Sequence, residues 1–337
     1  MLTIENKQKL SLARPFVRNG KSYVTMLRNG ANPADKKSYI TKEIQANATL
    51  RPEDWKQLDD VIIRTARNEL IGINDLRSAG LTYNLKNALG TMILESNTVS
   101  DSMQAILSMN GIVRGQNDRP EFDKQGTPLP LLHSDYEIQT RSLEASKKSS
   151  TPLDTESAAL AAKALSERLE TMLFGSWSYL YGGYSAYSYL TYPNRNQLTL
   201  AESWQTASHA AITRNILDMK QQLSDLSFHA PKMVYIPANW QPRLDEYYNV
   251  EKEQTLYERI LQVAGIRDIK PTPYLANDNA VMVQMTSDVV RLIDGLPITN
   301  VQDVGEGGFL NSYKIYTICV PEVRSDIRGN TGLVHLA

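Results

Sequence analysis

The stretch that most limits how this chain can fold is residues 80–127. Glycines at 80, 90, 111, 115 and 126 divide it into short β-prone runs, of which Thr91–Leu94 and Gln104–Met109 are the strongest. Asn117-Asp118-Arg119-Pro120 adds a turn signal. The segment reads as a long two-stranded excursion with little that could form a core of its own. A lone pair of strands is marginal in water, so the excursion needs a partner surface.

The flanking elements are more regular. Trp55, Leu58, Ile62, Ala66 and Leu70 make one apolar face of a helix from about Pro52 to Ile71, with Glu53 and Asp54 complementing its dipole and Gly72 as its expected stop. Residues 128–139 predict a strand with an edge at its proline end. A strong helix is expected over about 155–174, capped by Asp154 or Thr155, with the stripe Ala158, Ala162, Leu165, Leu169 and Leu173 and with Gly175 just past its end. A Gly/Ser/Tyr tract, residues 175–193, reads as a packed or recognition loop. Thr199 and Glu202 have the spacing of a capping box, which places the start of a third helix at Thr199. Strands are expected at Lys232–Pro237, Val281–Met285, Tyr313–Val320 and Leu333–Leu336, and a helix around Gln254–Ala264. Strands and helices mix without βαβ repetition, so the class is α+β.

Composition excludes several functions. Residues 1–48 hold nine Lys/Arg against three Asp/Glu, a net +6, so at an overall −1 the rest of the chain carries −7. The basic residues are Lys7, Lys9, Arg14, Arg18, Lys21, Arg28, Lys36, Lys37 and Lys42. This first segment reads as an extended arm, either a solvated leader or one that lies along a polyanion or a neighbouring subunit. One cysteine, Cys319, in an apolar run, precludes a disulfide framework and reads as a buried inert thiol. No run is apolar enough to span a bilayer, and Met1–Leu12 lacks the apolar core of a secretory signal, which makes a reducing cytoplasm the expected compartment.

The chemical motifs fail one by one. His133, His209, His229 and His335 lack metal-ligand spacing. Gly20-Lys21-Ser22 lacks the first glycine of a phosphate loop, since Pro15 stands there. Gly183-Tyr184-Ser185-Ala186-Tyr187 lacks the closing glycine of a nucleophile elbow. No catalytic residue, metal or cofactor is therefore expected.

The order of elements, with Ala46-Asn47-Ala48-Thr49-Leu50-Arg51-Pro52-Glu53-Asp54-Trp55, Asp75-Leu76-Arg77-Ser78-Ala79-Gly80-Leu81, Leu129-Pro130-Leu131, Arg141-Ser142-Leu143-Glu144-Ala145-Ser146 and Val320-Pro321-Glu322-Val323-Arg324, resembles the HK97-fold major capsid proteins of tailed bacteriophages, in their encapsulin-like subgroup. The resemblance covers about residues 40–337. It implies an N-terminal arm (1–50), a peripheral domain in three pieces (51–83, 128–199 with the spine helix, and 297–337), an extended β loop (84–127) and an axial domain (200–296). It also implies a non-enzymatic shell subunit that self-assembles into pentamers and hexamers around sequence-independent double-stranded DNA. Scaffold, cement and portal proteins would be further partners, with no membrane. The location would be the virion, assembled in the host cytoplasm.

Inter-subunit or DNA-facing candidates are Lys7, Lys9, Arg14, Arg18, Lys21, Arg28, Lys36 and Lys37 in the arm, and Met92, Leu94, Ile106, Tyr181, Tyr184 and Tyr187 in the body. The alternative is an encapsulin-type compartment holding a cargo enzyme. A hydrolase with its site in 200–296 is the rival of another class. Lys86, Lys124, Asn277 and Asn279 lie where some relatives form Lys–Asn crosslinks, but nothing in the sequence identifies a pair.

Overall fold

The computed structural model describes residues 14–18, 21–27, 39–43, 52–99, 109, 122–139, 155–249, 253–303, 310–326 and 328–337, with the side chains of residues 14–55, 67–69, 97–99, 122–123, 303 and 310 outside that description. The chain divides into two compact units. One comprises Met1–Gln57, Gln139–Leu153 and Gly305–Leu310, and the other Leu58–Ile138, Asp154–Val304 and Asn311–Ala337.

In the first unit β1 (Arg14–Arg18), β2 (Lys21–Leu27) and β3 (Tyr39–Glu43) form an antiparallel sheet in that order, with Arg18 opposite Lys21 and Leu27 opposite Tyr39. Residues 14–43, expected as part of an extended arm, carry this three-stranded sheet. The sequence carries the reason, since β-branched and aromatic residues fill Phe16–Val17 and Tyr23–Thr25 and the dipeptide Asn19-Gly20, a strong hairpin signal, separates the first two strands.

Helix α1 (Pro52–Glu69) matches its apolar face, with Leu58, Ile62, Ala66 and Leu70 all buried. Gly72 does not end the helical region. It opens a second helix, α2 (Gly72–Ser78). The glycine is there for packing: a Cβ would lie 2.5 Å from Leu173 Cδ2 and 2.6 Å from Phe174 Cε2.

Next come β4 (Thr82–Asn84), a 3-10 turn (Ala88–Gly90), β5 (Ile93–Val99), β6 (Phe122–Pro128) and β7 (Leu132–Gln139). β5 and β6 pair only with each other among the described strands, from Ile93 opposite Pro128 to Val99 opposite Phe122. This is the two-stranded excursion expected of the glycine-punctuated stretch. Its run 104–108 lies outside the described residues.

The spine helix α3 (Glu156–Phe174) buries the predicted stripe, but Thr155 makes no side-chain capping bond. Gly175 is extended rather than left-handed, at φ −82 and ψ 170. Its Cβ would lie 2.7 Å from the Thr171 carbonyl oxygen, so close approach accounts for the glycine. The Gly/Ser/Tyr tract is no mere loop. β8 (Ser178–Tyr181) and β9 (Tyr184–Tyr187) form a hairpin across Gly182 and Gly183, at φ +61 and +84, the backbone a two-residue turn demands.

The expected helix start at Thr199 is displaced by ten residues in sequence: β10 (Asn196–Leu198) runs parallel to β18 (Leu333–Leu336), and the Leu200 amide donates to the Ala337 carbonyl. Helix α4 (His209–Asp225) instead starts at Ser208, whose hydroxyl accepts from the Ala211 amide. Trp204 and Ala207 are buried all the same. The chain continues through β11 (Lys232–Pro237), a 3-10 turn (Ala238–Trp240), α5 (Gln241–Leu244), β12 (Tyr247–Asn249), β13 (Gln254–Thr255), α6 (Leu256–Leu261), β14 (Ile266–Thr272), β15 (Ala280–Gln284), β16 (Val290–Asp303) and β17 (Leu310–Val323). A capping box does occur, at Thr255 and Glu258 of α6, where the sequence reading placed none.

Two sheets organise the second unit. One has the order β10-β18-β15-β11-β14 and packs on α4 and α6 through Ile212, Ile216, Met219, Val234, Ile236 and Ile260. The other has the order β4-β16-β17-β7. β16 continues across the boundary expected at 296/297, although its pairing with β17 shifts register between Asp294 and Thr299. The last strand, β18, joins the sheet of residues 232–284 rather than that of β16 and β17. A strand pairs wherever its buried face fits, and all of Leu333–Leu336 is buried.

Candidate shell interface

The ribbon β5–β6 leaves the body at a firmly held root. Leu129 N–H donates to the Met92 carbonyl at 2.9 Å. The Thr127 hydroxyl donates to Glu322 Oε1 at 2.8 Å, and Arg291 Nε donates to the other oxygen of that carboxylate. The Arg291 guanidinium also lies 4.8 Å from the centroid of the Tyr83 ring. The Arg291 and Glu322 side chains are 14% and 6% exposed, so this pair is shielded from water and salt. It ties the ribbon to β16 and β17.

The β8–β9 hairpin packs against the same root. A Cβ at Gly126 would sit 2.5 Å from the Tyr184 ring, and one at Gly182 2.7 Å from Ile93 Cδ1. Tyr187 meets Tyr192 edge-on at 6.0 Å. Tyr184 and Tyr187 are thus half-buried within the chain. Tyr181 instead faces outward, 44% exposed, its hydroxyl donating to the Met92 sulfur at 3.1 Å. Leu94 is half-buried.

Met92 and Tyr181 therefore belong to one exposed apolar face. Around them a cleft of ≈ 300 Å³ is lined by Leu89, Leu129, Leu131 and Tyr179 among others. Leu89 and Met92 are 65% and 63% exposed. A group of large apolar side chains left in water marks an interaction surface more often than a free one. The sequence reading missed Leu89, Leu131 and Tyr179. The readable signal for Tyr179 is the period-2 alternation of a hairpin about Gly182-Gly183, which sets Tyr179 and Tyr181 on one side.

Of the other expected positions, Lys7, Lys9, Arg28, Lys36, Lys37 and Ile106 lie outside the described residues. Arg14, Arg18 and Lys21 are placed only as backbone of β1 and β2. Lys124 pairs loosely with Glu95 across the ribbon, at 3.9 Å. Asn279 is held by its own loop and by His335 Nε2, at 2.6 Å from its Oδ1.

Chemistry at this face is sparse. Among the described residues no group of three or more His, Cys, Asp or Glu could hold a metal ion, and no helix is long and apolar enough to cross a membrane. Cys319 is fully buried, and burial pushes its thiol up to about 12, against the pull of Arg77. It is an inert packing thiol.

Comparison with known proteins follows this architecture. The model of the DUF6260 family, described as a family of unknown function, matches residues 44–335. The chain belongs to this family. Over 238 residues it is 21% identical to a diheme-cytochrome-encapsulin shell fusion protein of Kuenenia stuttgartiensis, covering 70% of this chain and 59% of that relative. The DUF6260 chain thus spans little more than half of that relative's length.

Among solved structures it is similar to a virus-like particle from Pyrococcus furiosus, with a TM-score of 0.61 and 15% identity over 85% of this chain and 100% of the other. The capsid of Myoviridae phage XM1 gives 0.56 and 12%, over 73% and 86%. The capsid of an empty GTA particle gives 0.55 and 11%, over 77% and 88%. At such identities the likeness is one of fold. This DUF6260 chain has the HK97-like capsid fold.

Proposed function

We propose that the chain is the major capsid protein of a tailed phage, a non-enzymatic subunit that assembles through pentamers and hexamers into an icosahedral shell around double-stranded DNA. The observation that carries this reading is the extent of the likeness: the fold runs through 85% of the chain and the whole of a particle-forming subunit. The exposed face at Met92 and Tyr181, beside a ribbon that pairs with no third strand among the described residues, supports it. Such a surface is a liability for a monomer and an asset for a subunit whose many modest contacts add up in a closed shell. DNA would be held without sequence preference, with the +6 of residues 1–48 supplying the attraction to phosphates. Scaffold, cement and portal proteins are the partners such assembly would use, in the host cytoplasm.

The relative that is an encapsulin shell fusion favours a second reading, a protein compartment around a cargo enzyme. Negative-stain microscopy of the expressed chain, with analysis of the particle contents, separates the two. Shells protecting DNA from nuclease support the capsid. Shells holding a stoichiometric protein and no protected DNA support the compartment. A monodisperse small particle at all concentrations overturns both.

A further inference from the structure

Strand β8 is exposed at all four of its residues, and Leu180 is 71% exposed. Among the described strands it is hydrogen-bonded only to β9. The phase of that pairing is fixed. Ser188 N–H donates to the Trp177 carbonyl at 3.2 Å, next to the ladder in which Tyr179 faces Ala186 and Tyr181 faces Tyr184. In an antiparallel ladder alternate residues turn their backbone groups toward the partner. Trp177, Tyr179 and Tyr181 therefore direct theirs at β9. The N–H and C=O of Ser178 and Leu180 point the other way, along a free edge.

Free edges are ordinarily blunted by charge or proline. β7 and β14, each at the end of a larger sheet, follow that rule. β7 carries His133, Asp135 and Glu137, and β14 carries Arg267, Asp268, Lys270 and Pro271. β8, Ser-Tyr-Leu-Tyr, has neither charge nor proline. An edge left open and uncharged is a template for another strand.

The sequence of the edge selects its occupant. Laid antiparallel with Tyr179 opposite Tyr179, a second copy of β8 brings Ser178 of each strand to Leu180 of the other. Every outward donor and acceptor of both strands is then paired, with no overhang. The side chains agree. Trp177, Tyr179 and Tyr181 share one face, and within the chain the Trp177 and Tyr179 rings already stack at 6.4 Å. The second copy sets Tyr179 against Tyr179 and Trp177 against Tyr181, and aromatic pairs directly across a ladder stabilise it. No like charges meet. The same face continues into the exposed apolar surface, since Tyr179 lines the cleft with Leu89 and Leu131 and Tyr181 bonds the Met92 sulfur. A closed icosahedral shell contains two-fold axes, the operator that a self-complementary edge requires.

We infer that β8 pairs with β8 of a second copy, antiparallel about a two-fold axis at Tyr179, so that the two β8–β9 hairpins form one sheet shared by two subunits. This rests on the reading of the chain as a shell subunit and names a contact that such a subunit makes.

Cysteine crosslinking of the full chain tests it, because the native Cys319 is buried and does not compete. In this register Tyr179→Cys places two thiols across a non-hydrogen-bonded pair, with Cα atoms about 4.5 Å apart and within disulfide range. Mild oxidation should move the main band of a non-reducing gel from monomer to dimer. Leu180→Cys, whose two copies are offset by two residues and lie beyond about 7 Å, should stay monomeric. Leu180→Pro deletes an outward N–H that the β8–β9 ladder does not use, and should lower the yield of sedimenting shells. A dimer from Tyr179→Cys and not from Leu180→Cys supports the pairing, with or without shells. Shells in which Tyr179→Cys yields no dimer, or which form at full yield with Leu180→Pro, overturn it, give the edge to a different segment and leave the shell reading standing. Equal dimer from both cysteine variants overturns the two-fold at Tyr179. Neither particles nor dimer overturns both readings.

Discussion

Gly72→Ala sets two effects of opposite sign against each other. Gly72 is the first residue of α2. On helix propensity alone the change should stabilise by about 1 kcal/mol. The structure predicts the reverse. The added methyl would lie 2.5 Å from Leu173 Cδ2 and 2.6 Å from two atoms of the Phe174 ring, where ordinary contact begins near 3.4 Å. Neither neighbour can give way freely, since Leu173 and Phe174 are both 0% exposed and Phe174 is held between the Tyr189 and Tyr235 rings at 5.7 and 4.7 Å. Overpacking a rigid site costs about 1–3 kcal/mol. Here two contacts are affected, and any retreat of α2 also stretches the Gly72 amide from Glu170, a charge-assisted bond worth about 1.5–3 kcal/mol.

The expected net is a loss of about 2 kcal/mol, read as a lower urea midpoint at unchanged slope in tryptophan fluorescence of the unassembled chain. The loss should shrink in a Leu173→Ala background, because the space is then available, and the double-mutant cycle isolates that coupling. A Gly72→Ala chain as stable as the parent, or costs that simply add, would refute the close-approach argument.

Three further outcomes are expected. Between about pH 4.5 and 7 Glu170 is protonated in the folded chain and ionised in the unfolded one, so its contribution is complete at the acid end and lost as pH rises through 7. His335, pushed down to about 4 by burial and Arg195, contributes stability present above 6.5 and lost as pH falls through 4. The two slopes oppose, so the parent's urea midpoint should vary little from pH 4.5 to 6.5; Glu170→Gln should leave stability rising with pH and His335→Asn should leave it falling. Arg291→Ala strands the buried Glu322 carboxylate and should cost about 3–5 kcal/mol, whereas Arg291→Met with Glu322→Leu should recover most of it in the same denaturation assay. Met92→Ser with Leu131→Ser should lower the yield of sedimenting shells while changing the stability of the unassembled chain by less than about 0.5 kcal/mol; unchanged yield would remove this face from assembly.

Much of the architecture was legible because it rests on local periodicity. The stripe of α3 and the strands Lys232–Pro237 and Leu333–Leu336 lie where their patterns put them. The turn signals Gly182-Gly183 and Asn19-Gly20 are equally local, although the composition around them reads as loop and arm. The interface was half legible: Met92 and Tyr181 stand on the exposed face, while Tyr184 is turned inward by the absence of a Cβ at Gly126, a fact that no spacing within the tyrosine tract encodes.

By itself the sequence determined the class, the long helices, the coreless ribbon and, with a single cysteine, the lack of an intrachain disulfide framework, because each follows from residue type and short-range period. Only the tertiary structure decided where helices begin and which strands meet. Thr199 has the capping-box residues yet no helix follows it directly, because Leu200 is drawn to Ala337 at the far end of the chain. Gly72 has the look of a stop yet opens a helix, because Glu170 supplies what its amides need from across the fold. Backbone donors and acceptors must be satisfied wherever they are buried. When the partner lies a hundred residues away, the local pattern cannot name it.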